Sequence, residues 1–284
     1  MMSALLCVVS FSAVSCGDDK EDEPTPEPSE QQSKPYVITF SVAGSKKVQF
    51  SSGNLQYQPS SGTWRFAEHQ YDLLDDDPTV HTTNSYTTTS TDWIDLFGWG
   101  TWTKNGADPS STSVDGSVYR TGVTGGEFEN VCKEGIGEEW KTLSIAEWNY
   151  MLFTRTTTQG IRYSEATVHG VNGLVLLPDL WDGSYTFANS NTKNAGYAEI
   201  ADADWSTLES RGAVFLPAAG NRQDGIDVSA VGSHGYYWSC TAYDAYNPAR
   251  ACCLAISGVG DGVNTNLAAR RFDGYSVRLV REVQ

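Results

Sequence analysis

Gly235-Tyr236-Tyr237-Trp238-Ser239-Cys240-Thr241-Ala242 and, further on, Arg271-Phe272-Asp273-Gly274-Tyr275-Ser276-Val277-Arg278-Leu279-Val280 carry the most informative pattern in the chain. Large apolar residues alternate with small or polar ones, the period of a strand with two unlike faces. Three strands are predicted here, over Tyr236–Cys240, Ala251–Ile256 and Tyr275–Arg281. Two runs upstream, Leu174-Val175-Leu176-Leu177-Pro178 and Ala213-Val214-Phe215-Leu216-Pro217, read as fully buried strands. Each stops at a proline, which has no N–H to give to a ladder.

Between these runs lie helix signals. Ser144 is a good N-cap for a helix over 143–153, and Glu147 completes a capping box three residues on. Leu143 and Trp148 occupy hydrophobic-staple positions, and Ile145, Trp148 and Leu152 make one apolar face. A second helix is predicted over 202–210, with Trp205 and Leu208 inward and Gly212 beyond its end. Near the start, alternation over 36–50 around Gly44-Ser45 predicts a hairpin. Two shorter strands flank Ser60-Ser61-Gly62, carrying Leu55 and Tyr57, then Trp64 and Phe66. Residues 72–130 read as a long polar loop broken by the apolar patch Trp93–Gly100. Strands, helix, strands, helix, strands is an α+β order rather than a regular βαβ one. No fixed-period repeat and no domain boundary is expected inside 36–284.

The 284 residues carry a formal net charge of −16. Seven acids and one Lys between Asp18 and Glu30 supply −6 of it, leaving −10 for the rest. Such a surface repels phosphate backbones, so nucleic acid is not an expected partner. It also disfavours docking on anionic lipid headgroups by charge. Hydrophobic residues make up 39% and aromatics 12%, enough to bury a core.

Residues 3–16, SALLCVVSFSAVSC, are apolar but too short to anchor by spanning a bilayer, and suit the h-region of a signal peptide. Ala13-Val14-Ser15-Cys16 resembles a bacterial lipobox, which implies lipidation at Cys16 and removal of the residues before it. No Lys or Arg precedes the apolar run, so the natural start is expected upstream. Residues 17–35 are acidic, Pro-rich and poor in large apolar groups, the composition of an extended tether. An acidic stretch behind a lipidated Cys resembles the surface-export signal of Bacteroides-type lipoproteins. This implies an outer-membrane, surface-exposed location, with membrane contact only through the lipid. The alternative is an ordinary linker with the domain facing the periplasm. The organisation expected is therefore 1–16 leader, 17–35 tether and 36–284 one globular domain.

The two C-terminal stretches quoted first resemble the end of the Fibrobacter succinogenes major paralogous domain family. Lys47–Tyr57, Trp93–Gly100, Trp140–Trp148 and the two proline-terminated strands resemble its Bacteroides-type relatives. That family is similar to the C-type-lectin-like fold shared by formylglycine-generating enzymes. The resemblance implies small, twisted, mostly antiparallel sheets, two helices, long loops and a final strand returning beside the first. Its members are mostly cell-surface proteins without an assigned activity, so it implies a fold more than a reaction.

Formylglycine-generating enzymes use paired cysteines. Cys252 and Cys253 are adjacent, hence on opposite faces of a strand, and do not share a pocket. His69, His81, His169 and His234 show no zinc-hydrolase spacing, and Gly232-Ser233-His234-Gly235 is no nucleophile elbow. Asp72, Asp75, Asp76 and Asp77 offer oxygen ligands for calcium but match no EF-hand loop. Neither a metal nor a cofactor is expected. Cys240 and Cys252 either pair, if their strands are neighbours, or stay free as small hydrophobes together with Cys132 and Cys253.

Aromatic rings stack on sugars while Asp, Asn and Arg read hydroxyls. Trp181, Asp182 and Tyr185 sit in one expected loop, Asn221 and Arg222 in a second, and Tyr243, Asp244, Tyr246 and Asn247 in a third. Their convergence on one end of a lectin-like fold would make a glycan site. The expectation is a surface-anchored lipoprotein with a non-catalytic binding or adhesion domain for a glycan or a cell-surface protein, of open oligomeric state. A structural envelope component without a small ligand, and a divergent enzyme on the same fold, are the alternatives.

Overall fold

The last strand of the chain lies between strands from its first half, and this placement organises everything upstream. The structure is a computed structural model, and it describes residues 38–74, 92–103, 106–119, 136–137, 139–224, 227–244, 247–258, 260 and 262–283. In chain order its strands are β1 (Phe40–Ala43), β2 (Lys46–Phe50), β3 (Leu55–Gln58), β4 (Thr63–Phe66), β5 (Trp140–Lys141), β6 (Tyr163–Val168), β7 (Val171–Leu176) and β8 (Ala198–Ile200). They continue with β9 (Val214–Pro217), β10 (Ala219–Gln223), β11 (Asp227–Val231), β12 (His234–Asp244), β13 (Asn247–Ser257), β14 (Asn264–Arg270) and β15 (Val280–Val283). Two short helices, α1 (Ile145–Asn149) and α2 (Asp202–Ser210), complete an α+β architecture dominated by sheet. Val37–Gln284 forms one unit.

The first sheet runs β1-β2-β15-β5, the second β8-β6-β7-β9, and the third β11-β10-β12-β13-β14, with β3-β4 as a separate hairpin. Pairing is antiparallel except β6 with β8 and β10 with β12. The predicted opening hairpin forms with Phe40 opposite Val48, and β3 pairs β4 with Leu55 opposite Phe66. The final strand is shorter than its alternation predicts. Tyr275 and Ser276 make only single bridges, to Phe97 and Tyr237, because they pass between two elements rather than along one. Regular pairing begins at Val280, opposite Phe50 on one side and Lys141 on the other. The neighbour of β15 in the opening hairpin is thus β2 rather than β1.

The capping box of α1 forms as predicted: the Glu147 N–H donates to Ser144 Oγ at 3.2 Å, and the Ser144 N–H to Glu147 Oε2 at 2.8 Å. The predicted helix over 143–153 is α-helical only to Asn149. Tyr150–Thr154 is a π-helical turn, closed by the Arg155 N–H on Tyr150 O at 2.8 Å. The wider turn buries both Met151 and Leu152 and carries Arg155 inward to 1% exposure. α2 matches its predicted bounds, with Trp205 and Leu208 buried. Gly212 ends it at φ +90°, where the Ile38 side chain lies within 2.4 Å of any added Cβ.

Three apolar clusters form the core. The first joins Trp238, Cys240 and Cys253 of the β12–β13 hairpin to Phe97 and Trp99 of the expected loop patch and to Trp102 just beyond it. The second packs the opening hairpin and α1 on Leu174, Leu176 and Leu216. The third fills the space between α2 and the other face of β6, β7 and β9.

Arg155 ties the second cluster together. Its guanidinium donates to Asp179 Oδ1 at 2.9 Å and to the carbonyls of Leu177 (2.6 Å), Met151 (2.7 Å) and Arg162 (3.2 Å). Asp179 accepts in turn from the Ser41 N–H at 2.9 Å and Ser41 Oγ at 2.7 Å, fastening β1 to the end of β7. Removing Arg155 leaves the buried Asp179 with only the exposed Lys47, 3.7 Å away, to balance its charge. Arg155→Ala is expected to lower unfolding stability by about 3–5 kcal/mol in a urea titration. A loss under about 1 kcal/mol, the range of surface pairs, would refute this role.

Candidate functional site

Of the nine residues expected to form a sugar site, those whose side chains are described do not gather at one solvent-facing site. Trp181 is 1% exposed and belongs to the third cluster, edge-on to Phe187, so its ring faces are used by the core. Tyr185 packs half-buried on the same cluster, against Phe187. Asp182 is exposed but pairs with Arg211 and accepts from the Ser184 N–H at 2.9 Å. Asn221 and Arg222 are buried at 2% and 1%. Asn221 Oδ1 accepts from Ser229 Oγ at 3.2 Å, while the Arg222 guanidinium donates to the carbonyls of Ser111 (3.3 Å) and Leu96 (3.4 Å). These two side chains bind loops from inside and do not face solvent. Tyr243 is exposed near the end of the β12–β13 hairpin, where Asp244 opposes Asn247. Tyr246 lies outside the described residues, as do Cys16, Cys132, His81, Asp75, Asp76 and Asp77.

Cys252 and Cys253 are free thiols, and Cys240 is in no disulfide. Of the two alternatives for Cys240 and Cys252, the bridge between them does not form, for a geometric reason. The register shifts between Trp238 and Ala242, and Cys240 falls on the face that carries Trp238 and Cys253. Cys252 lies between Cys253 and Ala251, which face the first cluster, and so points the other way along β13. Burial pushes the Cys253 thiol well above the ordinary range and raises Cys252 as well. A nucleophilic thiol needs the opposite shift.

A cleft of about 650 Å³ opens elsewhere, between the β3–β4 hairpin, the turn joining β6 to β7, and the turn after β11. This is the size range of small-ligand sites. In the β3–β4 hairpin, Gln56 stands directly opposite Arg65 and both line the cleft. Arg65 Nε donates to Gln56 Oε1 at 2.7 Å, and the guanidinium lies 3.7 Å above the Trp93 ring.

On the facing wall, β6 and β7 are joined by only His169 and Gly170, with Val168 opposite Val171. Both turn residues have positive φ, +49° and +77°, as the tightest hairpin turns require. The His169 ring is 4.2 Å from that of Tyr71, which stacks in turn on His69 at 5.1 Å, making a column of three rings. His169 Nδ1 lies 3.1 Å from Asp202 Oδ1 at the start of α2, which fixes the imidazole. Burial raises the Tyr71 hydroxyl pKa, helped by the carboxylates of Asp72, Glu209, Asp202 and Glu68. The base is set by Asn172, which accepts from Thr167 Oγ1 at 2.6 Å and donates to Gly232 O at 2.8 Å.

Of the cleft's polar residues, the sequence singles out only Asp72 for binding, as one of four possible calcium ligands, and Gln56, Arg65 and His169 are not expected to read a ligand. A signal existed in Val168-His169-Gly170-Val171, a two-residue turn between β-branched residues, which aims the first turn residue outward. The pairing of Gln56 with Arg65 follows from hairpin register. Among the described residues no three His, Cys, Asp or Glu side chains gather as a metal site. No family model, curated protein or solved structure matches the chain.

A carboxylate outside the cleft has unusual surroundings. Glu165 on β6 is fully buried; its Oε2 accepts from the Ala195 N–H at 3.0 Å, and its Oε1 has no partner. Desolvation raises its pKa despite the N–H groups of residues 194–196. A raised acid holds its proton longer in the folded state than in the unfolded one, so its contribution falls as pH rises above the unfolded value, about 4.3. Thermal melts between about pH 4 and 7 are expected to show the native Tm losing ground to Glu165→Gln as pH rises. A pH-independent gap between the two would refute the assignment.

Proposed function

We propose that this chain is a surface lipoprotein, lipidated at Cys16 and held outside the outer membrane by the 17–35 tether, whose lectin-like domain binds a glycan without transforming it. The observation that carries this reading is the cleft, lined both by the paired Tyr71 and His169 rings and by the fixed Arg65–Gln56 pair. Rings and hydrogen-bonding side chains lining several hundred Å³ suit a saccharide, whose apolar faces and hydroxyls need both. The C-type-lectin-like reading draws support from a terminal strand seated against the opening hairpin, two short helices and long connecting segments. The raised thiol pKa values of Cys252 and Cys253 favour binding over formylglycine-type chemistry. Among the described residues no helix is long and apolar enough to cross a membrane, so the proposed attachment rests on Cys16.

Glycan arrays probed with the purified chain, with and without calcium, test the binding reading. His169→Asn tolerates the turn's positive φ but removes the imidazole, and is expected to weaken any array hit at least tenfold. Silence on every array would remove the glycan reading. Attachment is tested separately by fatty-acid labelling in cells: the native chain should incorporate label and Cys16→Ala should not. Equal labelling of both would refute lipidation at Cys16.

A further inference from the structure

Most of the described arginines of this acidic chain are committed to carboxylates or to carbonyl oxygens of the protein. Arg155, Arg211, Arg270 and Arg281 each pair with a carboxylate. Arg278 and Arg222 are buried and donate to fixed oxygens of the protein. Arg65 is exposed, yet its orientation is set twice, by the Trp93 ring beneath it and by Gln56 Oε1 on its Nε. Among the described residues no carboxylate pairs with it, which leaves the two η nitrogens as an unoccupied fork on the cleft wall. A guanidinium held in place loses little further freedom on binding, and its fork matches the two oxygens of a carboxylate.

The opposite wall limits how much charge a ligand can carry. Asp72 lines the cleft close to Tyr71, and Asp202 stands 3.1 Å from the His169 ring. A ligand with several negative charges, or a doubly charged phosphate, meets repulsion across the cleft, whereas a single carboxylate at the Arg65 end does not. Acidic side chains near Tyr71 remain good acceptors for sugar hydroxyls.

Building on the glycan reading, the geometry points to a uronic-acid-bearing saccharide as the ligand, its carboxylate held by Arg65 and its ring between Arg65 and the Tyr71–His169 wall. The test is calorimetric titration of the purified chain, in chelator to exclude calcium bridging. The probes are galacturonate, glucuronate and mannuronate trisaccharides, each as the free acid and as its methyl ester. At least one acid is expected to bind ten times or more tighter than its ester. Arg65→Gln should bring that ratio close to one and Arg65→Lys should retain part of it, with native melting temperatures in both. Equal binding of acid and ester by the native chain, or a tenfold ratio that survives in Arg65→Gln, overturns the acid assignment while leaving the glycan reading in place. An acid preference that appears only when calcium is restored also overturns it. Failure of every acid and ester, with array hits to neutral glycans, sinks only the uronate assignment. Failure of all of them with silent arrays sinks both.

Discussion

Buried guanidinium groups hold this molecule together. Much of its interior is irregular chain, and every carbonyl turned inward on such chain needs a donor that no ladder supplies. Arg155, Arg222, Arg271 and Arg278 are each 1% exposed and meet that need from four directions. Arg222 reaches the carbonyls of Leu96 and Ser111, and Arg155 those of Met151, Leu177 and Arg162. Arg271 lies 4.3 Å from the Trp99 ring and donates to Arg250 O at 3.2 Å. Arg278 donates to Gln70 Oε1 at 2.5 Å, while Gln70 itself bonds Glu209, Ala213 and the Phe215 N–H. Burial pushes the Arg278 pKa down to about 10, still charged at neutral pH. These guanidinium groups thus fasten described stretches of irregular chain to the sheets around them.

The same dependence shapes the cleft. The β3–β4 hairpin that carries Gln56 and Arg65 is anchored at its root, where Asn54 accepts from Arg278 and Leu55 N–H donates to Val277 O at 2.9 Å. The bridge between Tyr57 and Ile94 holds the segment that presents Trp93 beneath Arg65. A motif near the C-terminus thus positions a wall built from the first quarter of the domain.

Elements with strong local signals were legible in the sequence. The Ser144–Glu147 box, Trp205 and Leu208 over Gly212, and the alternation around Gly44 and Gly62 all appear where local chemistry puts them. What escaped is set by partners distant in sequence. β6 reads YSEATV, too polar to look buried, yet Ser164 and Glu165 lie inside because β7, β8 and the 189–197 segment enclose them. Three of the expected sugar readers are buried for a related reason. Trp181, Asn221 and Arg222 have the chemistry of ligand readers, and the core of a loop-rich fold requires that same chemistry. Residue type alone does not distinguish a Trp that stacks on a sugar from one edge-on to Phe187.

The position of Val280–Val283 between Lys46–Phe50 and Trp140–Lys141 has a kinetic consequence. The first sheet has a gap in its middle until the end of the chain arrives, and closing it joins segments separated by most of the polypeptide. Such long loops make assembly slow and leave a growing chain without a stable way to close early. The first sheet therefore closes late, after the elements that lie between its strands in sequence have had time to form.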